Sequence, residues 1–378
     1  MDPRQTDILT KLGRVLEISP CRPGISSIRL EVDGKEAANP GLIYHSLCPQ
    51  EIRVGDTVLL NSVGIDLGLG TGGCYFVIAK ADSEQHLVHG SNAGHIVKLR
   101  YTPLQRRCLC AEEPESPHHA ILKEAAVIDH MPVVAAGLHS QVAAIAAGAK
   151  ASLGEAIRIA YVMNDTGALP LTFSNLMAEL KDKALIDATI TTGQAFGGDF
   201  ETINLYTGLL CARLVAGCDL SIVAQGPGNV GSDTLLGFGA ISQGETINAV
   251  GILQGRPFAA VRLSFCDARF RHQGISRQSQ VVLGRIALTR ATVVLPELEE
   301  AQLNHLQKQL KEEGIDKKHD VVVVSGEPGL KELSLREIAV TTMGRSVEAD
   351  REFFLSAAAA GAAGAAAAQS LQPPSERR

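Results

Sequence analysis

The sequence predicts a small β-rich unit, a barrel or a sandwich, followed by a doubly wound, mainly parallel α/β sheet domain. Three observations carry that expectation. Between residues 13 and 102, short runs of alternating or β-branched residues recur between Gly, Pro, Asp and Asn turn signals with no helical interval. From Met131 onward, continuously apolar strand-length runs alternate with helical ones, as a sheet covered on both faces requires. Residues 187–232 read as two apolar strands, each ending in a glycine-rich polar turn, with an amphipathic helix between them. Such a βαβ unit brings both turns to the carboxyl ends of the strands, where open α/β sheets bind ligands.

Composition bounds the rest. A chain of 378 residues has room for two domains, and 45% apolar with 20% charged residues is an ordinary globular balance. Aromatic residues make up 4%, Trp is absent and the net charge is −6, so neither stacking platforms nor a basic field favours nucleic acid as a partner. The first nineteen residues lack the pattern of a secretory signal, and no apolar run reaches membrane-spanning length. The expectation is a soluble, cytoplasmic protein with no membrane partner. Eight scattered cysteines read as reduced thiols, mostly buried as small hydrophobes.

In the β-rich part the strand candidates are GRVLEIS, SSIRLEVDG, GLIYHS, GDTVLLN, CYFVIA and HIVKLRY. The segment 66–73 holds four glycines within its last six residues and reads as a barrel-closing turn or bulge, or as a place of close backbone approach. Lys98 and Arg100 share one face of the last run, read as solvated. The acidic, proline-punctuated residues 112–117 form the connection between domains, with Ser116 capping a short helix and Pro117 at its first position.

Strands then follow at 132–136, 158–163, 188–191, 220–224, 258–265, 291–295 and 321–324, with a last candidate at 338–342. Helices alternate with them at 141–151, 171–181, 202–216, 245–253, 276–288 and 303–313. The tail from Ala357 is almost all Ala and Gly and then polar, so it extends a helix begun at Arg351 and ends disordered. The domains are therefore a β unit over 1–105, a connector with a short helix over 106–130, a Rossmann-like α/β domain over 131–350 and the tail over 351–378.

Through GLGTGG (68–73), GHIVKLRYTP (94–103), ITTGQAFGGD (190–199) and VAQGPGNVGS (223–232), the chain resembles a bacterial family of domains of unknown function over most of residues 13–345. The resemblance implies a bacterial origin and one recurrent architecture. It lends no catalytic residues, so chemistry has to come from the side chains.

Gly226, Gly228 and Gly231 fit G-x-G-x-x-G directly after a strand. Against a dinucleotide, Pro227 removes one N–H from the cradle, the following SDTLLGFGA makes a poor helix, and Glu245 sits at a helix start instead of a strand end. The turn reads as structural or as a backbone nest for an anion. The companion turn runs from Gly193 to Asp199. Asp199 is a helix N-cap, with Glu201 in the first turn, or a general base or metal ligand facing the strand ends. His139 and Asp165 each follow a strand and extend the set of acid/base candidates. Arg269, Arg271 and His272, with Arg277 nearby, gather after another strand and read as anion recognition or as a solvated loop. Cys266 is a thiol beside those cations or simple packing. Cys108 and Cys110 with His118 and His119 have spacing too short for an ordinary zinc site.

The functional expectation is a small anionic ligand, a carboxylate or a phosphate, bound across the strand ends. Gly193 and the three glycines after 225 would supply backbone contact, the arginines counter-charge, and His139, Asp165 and Asp199 any proton transfer. The competing expectation is a regulatory or scaffold protein whose glycine turns are architectural. No metal or cofactor is named by any motif, and the apolar face over 205–214 suits a homodimer or an internal core alike.

Overall fold

A computed structural model describes residues 10–48, 50–62, 65, 73–81, 94–99, 106–167 and 169–371. Most of the glycine-rich segment 66–73, together with Arg100, lies outside them. The chain divides into two compact units, Met1–Asn92 and Ala93–Arg378.

The first unit is a five-stranded closed barrel with a short sixth strand. Strands β1 (Thr10–Arg22), β2 (Ile25–Val32), β3 (Lys35–Glu36), β4 (Gly41–Tyr44), β5 (Thr57–Asn61) and β6 (Tyr75–Lys80) run in the order β1-β5-β6-β4-β2-β3, and β1 pairs β2 again to close the ring. The long β1 serves both neighbours because irregular pairing between Val15 and Glu17 bends it. Asp33 and Gly34, both at positive φ, form the tight turn into β3. Val15, Ile28, Leu30, Ile43, Val58, Leu60 and Val77 fill the interior.

The second unit opens with a hairpin of β7 (Ile96–Lys98) and β8 (Arg106–Cys108). Its main sheet comprises β9 (Pro132–Ala136), β10 (Ile159–Asn164), β11 (Ala188–Thr192), β12 (Phe200–Thr202), β13 (Leu220–Gln225) and β14 (Arg256–Ala260), all parallel. Short strands β15 (Leu263–Ser264) and β16 (Gly274–Ile275) pair with each other, and β17 (Thr292–Pro296) and β18 (Asp320–Val324) complete the sheet. The spatial order is β12-β11-β10-β13-β9-β14-β17-β18. In the dinucleotide-binding order the first two strands are neighbours; here β13 separates β9 from β10.

Alternate strand residues face opposite layers, so the strands read as continuously apolar. Tyr161, Ile222 and Val134 point to one core; Val162, Val223 and Val133 point to the other. The first layer holds helices α1 (Val142–Leu153), α2 (Asn175–Asp182), α7 (Glu327–Leu335) and α8 (Arg351–Gln369). The second holds α3 (Leu205–Leu210), α4 (Ser242–Ile252), α5 (Arg277–Val281) and α6 (Glu300–Glu312).

Three expectations need correction. The helix expected from Arg351 is not among them: it forms as α8, buried along most of its length, because alanine and glycine let it lie closer to α1 than larger residues permit. Arg256 closes its C-terminus on the Ala367 carbonyl at 3.3 Å. Residues 338–342 form no strand; they end in a tight turn at Met343 and Gly344, both at positive φ, although Ile338 and Val340 are buried. Lys98 is not solvated but fully buried, and its ammonium bonds the Ala195 carbonyl at 2.6 Å and Glu201 at 2.7 Å. Asp199 caps no helix, since β12 intervenes and Asn204 caps α3 by accepting from the Thr207 N–H.

Candidate ligand cleft at the strand ends

The carboxyl end of β10 leads into Asn164, Asp165 and Thr166. Asn164 accepts from the Thr166 hydroxyl at 2.6 Å and donates to Ser242 on α4 at 3.2 Å, which ties the strand end to the helix start. Asp165 folds over the turn after β11: a Cβ at Gly193 would lie 2.3 Å from its Oδ2, and Gly193 has φ +62°. Only glycine fits both conditions. The start of α4 is equally tight, for a Cβ at Gly239 would lie 2.8 Å from Gln225 Oε1 and 2.9 Å from Asn229 Oδ1.

Between these parts opens a cleft of about 410 Å³. The strand ends contribute Asn164, Asp165, Thr166, Thr192 and Gly193; the α3 side contributes Ile203, Asn204 and Leu205; the α4 side contributes Gly239, Ile241, Ser242, Glu245 and Thr246. The lining thus offers hydroxyls, amides and two carboxylates beside an aliphatic wall. Among the described residues it contains no Lys, Arg or His.

Of the expected residues, Asp165 and Gly193 meet in this cleft. His139 does not line it. Its ring bonds Tyr161 on the α1 face, Nδ1 lying 3.1 Å from the phenol, and Nε2 lies 2.7 Å from Ser174. The Tyr161 hydroxyl in turn donates to the Gln225 carbonyl at 3.2 Å, while Ser174 caps α2 by accepting from the Met177 N–H. Burial pushes the His139 pKa down to about 4, so the ring stays neutral at neutral pH. Asp199 sits at the other end of the strands, accepting from the N–H and hydroxyl of Thr189 near the start of β11 and pairing with Lys181. Burial works to raise its pKa, but those donors win and hold it low.

The arginine cluster is already neutralised. Arg269 grips Asp267 through Nε at 2.9 Å and Nη2 at 2.7 Å, Arg345 reaches the same carboxylate at 3.4 Å, and Arg262 lies 3.7 Å away. Asp267 is 3% exposed, and the Arg269 bonds hold its carboxyl far below the usual carboxylate range. Arg271 pairs with Asp233 at 2.8 Å on the surface, and Arg277 pairs with Glu313. Buried His272 is pushed down to about 4 by burial and by Arg262 and Arg269. These residues lock a loop; they do not face the cleft.

The glycines after β13 fall apart in the same way. Gly226 backs onto Leu169 and Met163, Gly228 takes φ +97° in open space, and Gly231 bridges Phe238 at the base of an exposed loop. No helix follows the third glycine directly, as a pyrophosphate cradle demands, since α4 begins at Ser242. Nor do Cys108, Cys110, His118 and His119 converge: His119 bonds the Glu112 carbonyl at 2.7 Å, and burial pushes the Cys110 thiol up to about 12. The metal-sized group among the described residues is His95, Glu113 and Glu115, and Glu113 already accepts from the N–H groups of His95, Ile96 and Cys110.

Sequence reasoning missed Thr166, Thr192 and Ser242 in the cleft, and three buried glutamines near the ends of β9, β13 and β14. Gln141 accepts from the N–H groups of Gly137 and Leu138, Gln225 donates to the Gly137 carbonyl, and Gln243 donates to the carbonyls of Ala135 and Ala260. Their signal is an amide isolated in an apolar surround at a strand end or a helix start.

Among the described residues, no helix is long and apolar enough to cross a membrane. Neither a curated protein nor a solved structure matches the chain. Residues 41–361 match the model of a protein family of unknown function, DUF3866, and the chain belongs to that family.

Proposed function

We propose that the second unit binds a small polar organic molecule in the cleft between α3 and α4, with Asp165 and Glu245 on the ligand's hydroxyl or amino groups and the aliphatic wall on its carbon skeleton. One observation carries this reading: the cavity sits past the carboxyl ends of β10 and β11, the usual ligand position in open α/β sheets. The lining changes the ligand class first expected. Two carboxylates with no cationic side chain among the described lining residues disfavour an anion, and the arginines meant to neutralise one are spent on Asp233, Asp267 and Glu313. Any proton transfer to a bound ligand falls to Asp165 or Glu245, because His139 is held between Tyr161 and Ser174.

The test is a thermal-shift and calorimetric screen of the full chain against matched polyols, amines and carboxylates. Polyols or amines should raise the melting temperature, and Asp165→Asn should abolish that rise. Stabilisation by carboxylates alone, unaffected by Asp165→Asn, would overturn the reading.

A further inference from the structure

The two edges of the eight-stranded sheet differ. At one edge β12 has three residues, and its outer side is closed: Cys110 bridges Glu201, and the Ala111 N–H donates to the Glu201 carbonyl at 2.8 Å. At the other edge lies β18, Asp-Val-Val-Val-Val. Its backbone bonds run inward to β17, with Ala291 and Glu297 at its ends, and no described residue bonds its outer N–H and C=O groups. Val323 is 41% exposed, and Val321, Val322 and Val324 are half-buried. Sheet edges are ordinarily blunted by proline, by lysine, by a bulge or by a covering segment, and among the described residues β18 has none of these.

We propose that β18 pairs with β18 of a second copy, antiparallel about a two-fold axis, so that two sheets become one. The sequence around the strand favours a copy of this chain over an unrelated segment. Basic Lys317 and Lys318 precede the strand and acidic Glu327 follows it, both Lys317 and Glu327 exposed. Lys317 and Lys318 close a helical turn and Glu327, which pairs with Arg351, opens α7, so an antiparallel register centred on Val322 brings the lysine-bearing end of each strand beside the end of the other where α7 starts. The same register sets Val321 against Val323 and Val322 against itself, a β-branched cross-strand set. Such an interface is isologous, uses up both open edges and closes at two copies instead of growing into a fibre.

Sedimentation velocity on the full chain, from low to high micromolar concentration, reads the state directly. The wild type should be dimeric. Val323→Lys should weaken the dimer by roughly tenfold or more while the circular dichroism spectrum stays as in the wild type. Should that variant fail to fold, the lysine-bearing end decides: Lys317→Glu should weaken association, and Lys317→Arg should leave it unchanged. A wild type that stays monomeric throughout overturns the proposal and leaves the edge to an extended segment of another protein. A dimer indifferent to both sets of substitutions overturns it as well.

Discussion

Gly361 of α8 rests on the backbone of α1: a Cβ at that position would lie 1.8 Å from the Ile145 carbonyl oxygen. Gly148 answers it from the other helix, where a Cβ would lie 2.0 Å from the Ala358 carbonyl oxygen. The two helices therefore touch backbone to backbone, and the Ala/Gly composition of residues 357–368 is a packing requirement.

In a helix interior, exchanging glycine for alanine ordinarily adds ~1 kcal/mol of stability. Here the sign should reverse. Gly361→Ala and Gly148→Ala should each lower unfolding free energy by ~1–3 kcal/mol or more, the usual cost of overpacking. Gly284→Ala, whose nearest neighbour would lie 3.6 Å away, should keep the ordinary sign and add up to ~1 kcal/mol. Urea denaturation of the three variants checks this.

Lys98 and Glu201 form an ion pair in which the lysine is fully enclosed, with the Thr191 hydroxyl and the Gly197 N–H also directed at the carboxylate. Removing one partner strands the other. Glu201→Gln should cost ~3 kcal/mol or more, whereas Lys98→Met with Glu201→Gln should cost less than the sum of the single changes. A double-mutant cycle in denaturant measures the coupling.

Asp267 should behave likewise. Asp267→Asn leaves Arg262, Arg269 and Arg345 without their shared carboxylate, and a loss of ~3 kcal/mol is expected from breaking a buried pair. Because the carboxylate only locks the loop, added polyol or amine should still stabilise the variant if it binds at the cleft. Differential scanning fluorimetry separates the two effects.

The pH dependence follows from His139 and His272, both pushed down to about 4, and from His319, lowered by burial. Their folded values lie below the unfolded value of ~6.5, so the unfolded chain binds more protons between those limits. Stability should be complete above pH ~6.5 and fall as pH drops toward 4, by at most ~3 kcal/mol for each of His139 and His272. Asp267 stays ionised in the folded chain across that window, since Arg269 holds its carboxyl far lower. His272→Gln should flatten the profile measured by urea denaturation at a series of pH values.

The division into a β unit and a parallel α/β unit was legible because side-chain period and turn residues are local. Strands 132–136 and 220–224 read as continuously apolar for the reason the structure gives: both faces are covered. The glycine at 193 was legible as a turn at a strand end, and Asp165 as a strand-end acid, since both signals lie within a few residues of the strand.

What failed shares one cause. Arg269, Arg271 and His272 look available in sequence, and only folding brings Asp267, Asp233, Arg262 and Arg345 beside them. Lys98 looks solvated until Glu201, far along the chain, arrives to neutralise it. Composition gave the helix from Arg351 but not its burial, since its small residues admit it to the core only where α1 lies beside it. By itself the sequence determined most of the elements, their order and which turns end at the strand tips, because propensity and hydrophobic period act over neighbouring residues. Tertiary structure alone decided which charges are spent on each other and which polar groups remain to face a ligand, because Coulomb attraction and burial depend on distance in space.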